Sequence, residues 1–240
     1  MKNLLFSAFA LFTITALAQN QIRVEYEVQP TYDFSGSAEN IDIFAKNAYY
    51  ELLADRDESQ YSYMQRVENE QPAEMNEGTI IVEIGSPGIH YTNTKEKFFL
   101  KETELNNRPY IIRDSLNLIE WKIEKETKEV QGIQTRKATA SLKNNEITAW
   151  YAPKLNFKTG PDKYWGLPGL ILEIETVQGL QNGGKLVTNY KAIKVEIPEK
   201  DKKIAKPKKG KEVTAEEFRE LNRKANERAK EMYGGGVDKD

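Results

Sequence analysis

The chain has 240 residues, with 35 Lys and Arg against 37 Asp and Glu, one His and no Cys. A net charge of −2 gives it no bulk attraction for nucleic acid or anionic membrane. The missing Cys removes disulfides, thiol nucleophiles and Cys-ligated zinc or iron–sulfur sites together, and a single His removes metal binding by His pairs.

In chain order, Lys2, an apolar run from Leu4 to Leu17 and Ala16-Leu17-Ala18 before Gln19 make the three regions of a secretory leader, 1–18. The run is shorter than the roughly 18 to 20 residues of a membrane-spanning helix. The expected location is therefore periplasmic, outer-membrane associated or secreted, with no transmembrane span in the mature chain. Some 220 residues remain, a length that buries about 70% of its unfolded surface as one domain.

From 19 to 198 the sequence predicts a β domain. Ile22, Val24, Tyr26 and Val28 alternate with Arg23, Glu25, Glu27 and Gln29, the period of a half-buried strand. Thr31 to Asn40 reads as loop, and Asn40 to Asn47 as one helical turn. A hairpin of 48–54 and 60–67 turns on Asp55 to Ser59, and 68–78 is an acidic, Pro-containing loop. Further strands are expected at 79–84, 88–92, 97–103, 109–113, 119–126, 131–142, 145–152, 170–177 and 185–196, with turns at Asn144-Asn145 and 179–184. Short consecutive strands imply a mostly β fold, a large curved antiparallel sheet or half-barrel-like meander with one C-terminal α-helix.

The most distinctive stretch is Tyr164-Trp165-Gly166-Leu167-Pro168-Gly169-Leu170-Ile171-Leu172, a turn and an apolar strand without a charge. Pro168 and Gly169 suit the two central positions of a type II turn, and Leu170, Leu172 and Ile174 alternate with Ile171, Glu173 and Glu175. A turn this apolar is expected to be covered by protein, with Gly169→Ala costing about 1 to 2 kcal/mol for the strained backbone alone.

The string Gly166 to Ile171 resembles the name-giving motif of the GLPGLI family of exported Gram-negative proteins, whose biochemical function is unknown. The similarity extends upstream to Thr148-Ala149-Trp150-Tyr151-Ala152-Pro153 and Gly160-Pro161, and to the strands beginning at Trp121 and Gly132, covering about 119 to 177. One departure is Thr135, near which family members often carry Cys. The resemblance implies an envelope location, and a structural role for Gly160, Pro161, Gly166, Leu167, Pro168, Gly169, Leu170 and Ile171.

After Pro198 the composition shifts. Residues 199–213 carry seven Lys with Pro207 and Gly210, and read as a solvated linker. Thr214-Ala215-Glu216-Glu217 is a capping box that opens a helix, 214–233, with an apolar stripe of Phe218, Leu221, Ala225, Ala229 and Met232. The tail, 234–240, is expected to be disordered.

Motifs for catalysis are poor. His90 beside Tyr91 reads as a packed residue rather than a base, Asp55-Arg56-Asp57 lacks the Gly and distal Glu of a calcium loop, and no Gly-rich phosphate loop is present. No catalytic residue, metal or cofactor is assigned. The leading expectation is a non-catalytic envelope protein that binds another envelope protein or an outer-membrane assembly. Its candidate surface is Trp150, Tyr151, Tyr164, Trp165, Phe218 and Leu221. The alternative is a half-barrel carrier of a lipid or other apolar ligand, and the third reading is a two-carboxylate hydrolase.

Overall fold

Among the described residues, the alternating segments become strands β1 (Ile22–Asp33), β2 (Ile43–Lys46), β3 (Ala48–Ala54), β4 (Glu58–Met64), β5 (Ile80–Glu83), β6 (Ile89–Asn93) and β7 (Phe98–Leu105). They continue as β8 (Arg108–Ser115), β9 (Lys122–Val130), β10 (Ile133–Leu142), β11 (Asn145–Ala152), β12 (Leu170–Gly179), β13 (Lys185–Glu196) and β14 (Lys211–Val213), followed by helix α1 (Ala215–Gly234). The computed structural model describes residues 20–34, 43–66, 80–83, 88–180 and 183–234. The expected leader, the acidic loop 68–78 and the tail 235–240 lie outside the described residues.

Twelve strands form one sheet in the order β14-β8-β7-β6-β4-β3-β1-β13-β12-β11-β10-β9. Its two edge strands do not pair with each other, so the sheet is mostly antiparallel and open. Among the described residues two pairings are parallel, β14 with β8 and β2 with β5 in a separate two-stranded sheet, and β1 leaves the meander order by pairing with β13. The expected helical turn at Asn40 to Asn47 is thus corrected to a strand over Ile43–Lys46. Its β-branched and aromatic residues find partners at Ile80–Glu83, a pairing that no local pattern discloses.

Directly paired residues on neighbouring strands point to one face. The register carries such a row across the sheet, from Lys101 through His90, Tyr61, Leu52 and Val24 to Val195. A second row runs Val28, Tyr190, Ile174, Ala149, Ala138. This face holds the core, and the segment between β11 and β12, residues 153–169, lies over it as a plug. Phe157 joins Val24, Tyr26, Leu52 and Tyr61. Leu167 joins Ala138, Ala149 and Ile174, and Tyr164 sets its ring edge-on to Tyr190 at 5.8 Å. Tyr26 Oη donates to the Ile171 carbonyl at 2.5 Å, and the Ile171 N–H donates to Thr159 O at 3.0 Å, which stitches the plug to the strand that follows it.

The other face is charged. Glu25, only 8% exposed where alternation alone predicts an open position, accepts Arg66 at 2.7 Å and lies 3.3 Å from Arg23. Lys128 pairs with Glu173 and sits over the Trp150 ring. Near β6 and β7 this face is covered by the Lys-rich segment, which is fastened to the sheet rather than a free linker. Ile204 packs against Tyr91, Leu100 and Ile111, Ala205 N donates to Gln60 Oε1 at 2.7 Å, and Lys206 Nζ lies 3.3 Å from Glu58 and over the Tyr91 ring. Lysine stems lie along apolar surface while their ammonium groups stay in water, so a Lys run need not be unattached.

The helix starts at the expected box: Glu217 N donates to Thr214 Oγ1 and Thr214 N to Glu217 Oε2. Phe218 meets the Tyr110 ring at 5.6 Å, whereas Leu221, Ala225 and Ala229 are half-buried and Met232 is 75% exposed. No helix among the described residues is long and apolar enough to cross a membrane.

Candidate functional site

A pocket of about 270 Å³ opens on the core face of the sheet. Its walls come from β1 (Val28, Pro30), β3 (Tyr50), β4 (Tyr61), β6 (Ile89, His90), β7 (Lys101, Glu102) and β13 (Leu186, Thr188, Tyr190), with Asp162 from the plug. Six adjacent strands, about 4.8 Å apart, span some 24 Å when flat. They can line one pocket of this size only if the sheet curls around it, so this face is the concave one.

The alternation of each strand places the lining. Val28 and Pro30 share a face of β1, Tyr190 and Thr188 lie opposite them on β13, and Tyr61 lies opposite His90 on β4 and β6. Tyr50 and Tyr61 stack at 4.6 Å with planes 8° apart, which makes one wall rigid and apolar. The far wall is Leu186 and Tyr190.

Asp162 enters from a β-turn of the plug in which Tyr164 N donates to Pro161 O at 3.2 Å. Its φ of 52° is left-handed, a conformation that Asp tolerates better than most residues and that clusters at functional sites. The turn brings Asp162 Oδ1 to 3.3 Å from His90 Nδ1. Burial works against the Asp162 charge, but the hydrogen bond from the His90 ring and the nearby Lys101 and Lys163 ammonium groups outweigh it and hold the carboxyl well below its usual range. Burial, and secondarily the Asp162 charge, pushes Tyr61 and Tyr190 well above the usual phenol range, so both keep their protons. On one wall of the pocket, His90 Nε2 and Tyr61 Oη are buried and have no hydrogen-bond partner among the described residues.

The depressed Asp162 carboxyl makes a pH prediction. A group whose pKa is lower folded than unfolded adds stability above its unfolded value, near 3.9, and loses it as pH falls below that. In urea unfolding, Asp162→Asn is expected to be less stable than wild type at pH 7, with the gap narrowing steadily below about pH 4. Asn tolerates the left-handed φ, so the backbone contributes little to the difference. A gap independent of pH would refute the assignment.

The motif residues gather in the plug and its exit. Gly160, Pro161, Leu167, Gly169, Leu170 and Ile171 are buried, while Gly166 and Pro168 are exposed. The turn is not type II: Gly169 N donates to Leu167 O at 2.8 Å, a γ-turn centred on Pro168, and Gly169 has φ of 154°. The candidate interaction surface is broken up by the fold. Tyr151, Tyr164 and Trp165 are 2%, 3% and 9% exposed. Trp165 is clasped by Trp121, whose Nε1 donates to Trp165 O while Trp165 Nε1 donates to Asn117 O. Trp150 is half-buried on the charged face, and Phe218 and Leu221 are half-buried on α1. These six do not form one patch, because residues in a loop of apolar character pack inward once the sheet curls under it.

A sequence family described as a protein of unknown function (Porph_ging) matches residues 124–173, from β9 through the plug into β12. No curated protein matches the chain. Two solved structures of PNGF-II, in space groups C2 and P21, superpose with a TM-score of 0.55 in each case at 16% and 17% identity. They cover 85% and 86% of this chain and 33% and 34% of theirs, so the chain spans about a third of their length. The likeness is one of fold. The LolA superfamily protein NE2245 from Nitrosomonas europaea aligns with a TM-score of 0.30 and 8% identity, over 77% of this chain and 89% of that one.

Proposed function

We propose that the protein is a non-catalytic, exported envelope protein that binds or carries a small, partly apolar ligand in the concave pocket, and that it belongs with the GLPGLI proteins its motif resembles. The observation that carries this reading is the pocket itself, with aromatic and aliphatic walls built from six strands and a few convergent polar groups at one end. A volume near 270 Å³ suits a ligand of one or two rings or a short chain rather than a whole diacyl lipid. A second reading, docking of an envelope macromolecule, draws on the apolar stripe of α1, where Met232 stands 75% exposed.

The test is native mass spectrometry of the full chain expressed in an exporting host and kept out of detergent, beside a Thr188→Trp variant that fills the pocket. The expected result is a stoichiometric small molecule on the wild type and none on the variant. The same adduct on both proteins, or none on either, would sink the proposal.

A further inference from the structure

We propose that the pocket selects a neutral, hydroxyl-bearing apolar compound, gripped between Tyr61 Oη and His90 Nε2. This rests on the binding reading above and adds the chemical class. Tyr61 and His90 are directly opposed on β4 and β6, so their Cβ atoms lie about 5 Å apart and their side chains leave the sheet together. They are 6% and 8% exposed, and both polar tips lack a partner among the described residues. One buried polar atom without a partner is uncommon, because it has given up water and gained nothing in return. Two on adjacent residues of one pocket wall mark a place where a ligand completes the bonding.

The roles of the two atoms define that ligand. Asp162, an ionised carboxylate 3.3 Å from Nδ1, can only accept, so in the neutral ring the proton sits on Nδ1 and Nε2 presents a lone pair. Tyr61 keeps its phenol proton and donates. A donor beside an acceptor matches a group that is itself both, and a hydroxyl is the smallest such group. The charged lining argues against an anion: Asp162 and Glu102 outnumber Lys101, and Glu102 Oε2 already accepts the Ile89 N–H at 2.9 Å. The body of the ligand would lie against Tyr50, Tyr190, Val28 and Leu186. For scale, an apolar cavity of about 150 Å³ holds benzene.

The test titrates the untagged full chain by calorimetry with three compounds of one shape: 2-naphthol, naphthalene and 2-naphthoate. The expected order places 2-naphthol about tenfold tighter than the other two, the factor that one net hydrogen bond supplies. Tyr61→Phe, which keeps the stack on Tyr50, is expected to bring 2-naphthol to the affinity of naphthalene and leave naphthalene unchanged. Because His90 is the only imidazole in the chain, its ¹⁵N spectrum reports on wild-type protein directly. The Nε2 resonance should move with 2-naphthol and stay with naphthalene. Equal affinities for 2-naphthol and naphthalene, or a preference for 2-naphthoate, would overturn hydroxyl selection while leaving a binding pocket. Failure of all three to bind would overturn the binding reading and this inference with it.

Discussion

Replacing Gly169 with Ala is expected to destabilise the protein by about 3 kcal/mol or more, well beyond the strain of a positive φ alone. A Cβ at this position would lie 2.8 Å from the carbonyl carbon of Ala152 and 3.0 Å from Pro153 Cα, with the Ala152 oxygen nearer still. All three are backbone atoms of the strand end from which the plug departs, so no side-chain rotation relieves the overlap. Gly132→Ala is the matched control. It also has positive φ, 71°, yet nothing lies within 4 Å of the added methyl, and about 1 kcal/mol is expected. Urea midpoints of the two variants read the difference. Similar midpoints would mean that the plug yields where the packing says it cannot.

The second large effect is expected from Leu167→Ala. Leu167 is 1% exposed within the cluster of Ile147, Tyr151, Tyr164 and Ile174, flanked by exposed Gly166 and Pro168. Truncation removes transfer energy and leaves a cavity that the sheet below cannot fill, for a cost of about 2 to 5 kcal/mol. Pro168→Ala, at an exposed position of the same turn, is the comparison. Fluorescence of the three tryptophans, of which Trp165 lies two positions before Leu167 in the plug and Trp121 clasps it, should report loosening before global unfolding. If Leu167→Ala unfolded at the wild-type urea concentration while ligand binding was lost, the motif would be a contact surface rather than the peg that seats the plug.

Most strands were legible because alternation is a local property: β9 to β13 fall within a few residues of their expected bounds. What stayed hidden depends on residues far apart. β2 reads as a helical turn until β5 is beside it, and the Lys-rich run reads as linker because Ile204, its apolar anchor, is outnumbered by its neighbours. Alternation on β12 fails at Ile171, which is fully buried beside a register shift opposite Trp150 and Tyr151 and fills the space over Gly160. The pocket was hidden for the same reason. His90 and Asp162 are 72 positions apart, and a solitary His gives no spacing to read. One signal was present: period two puts Tyr26 and Val28 on a single face of β1, and the tyrosines of the neighbouring strands divide by parity between pocket and exterior.

The position of β1 has a consequence for how the chain reaches this state. It lies at the middle of the sheet, between β3 and β13, and Arg23 and Glu196, which meet across it, are 173 positions apart. A nascent β1 therefore waits for the much later β13 before both its edges are covered. Until then it exposes an alternating, half-apolar edge, while β9 to β12 can already zip up through short turns. Joining β1 to β13 is the step expected to limit the rate, and the interval before it is when the nascent protein is most open to sticking to its neighbours.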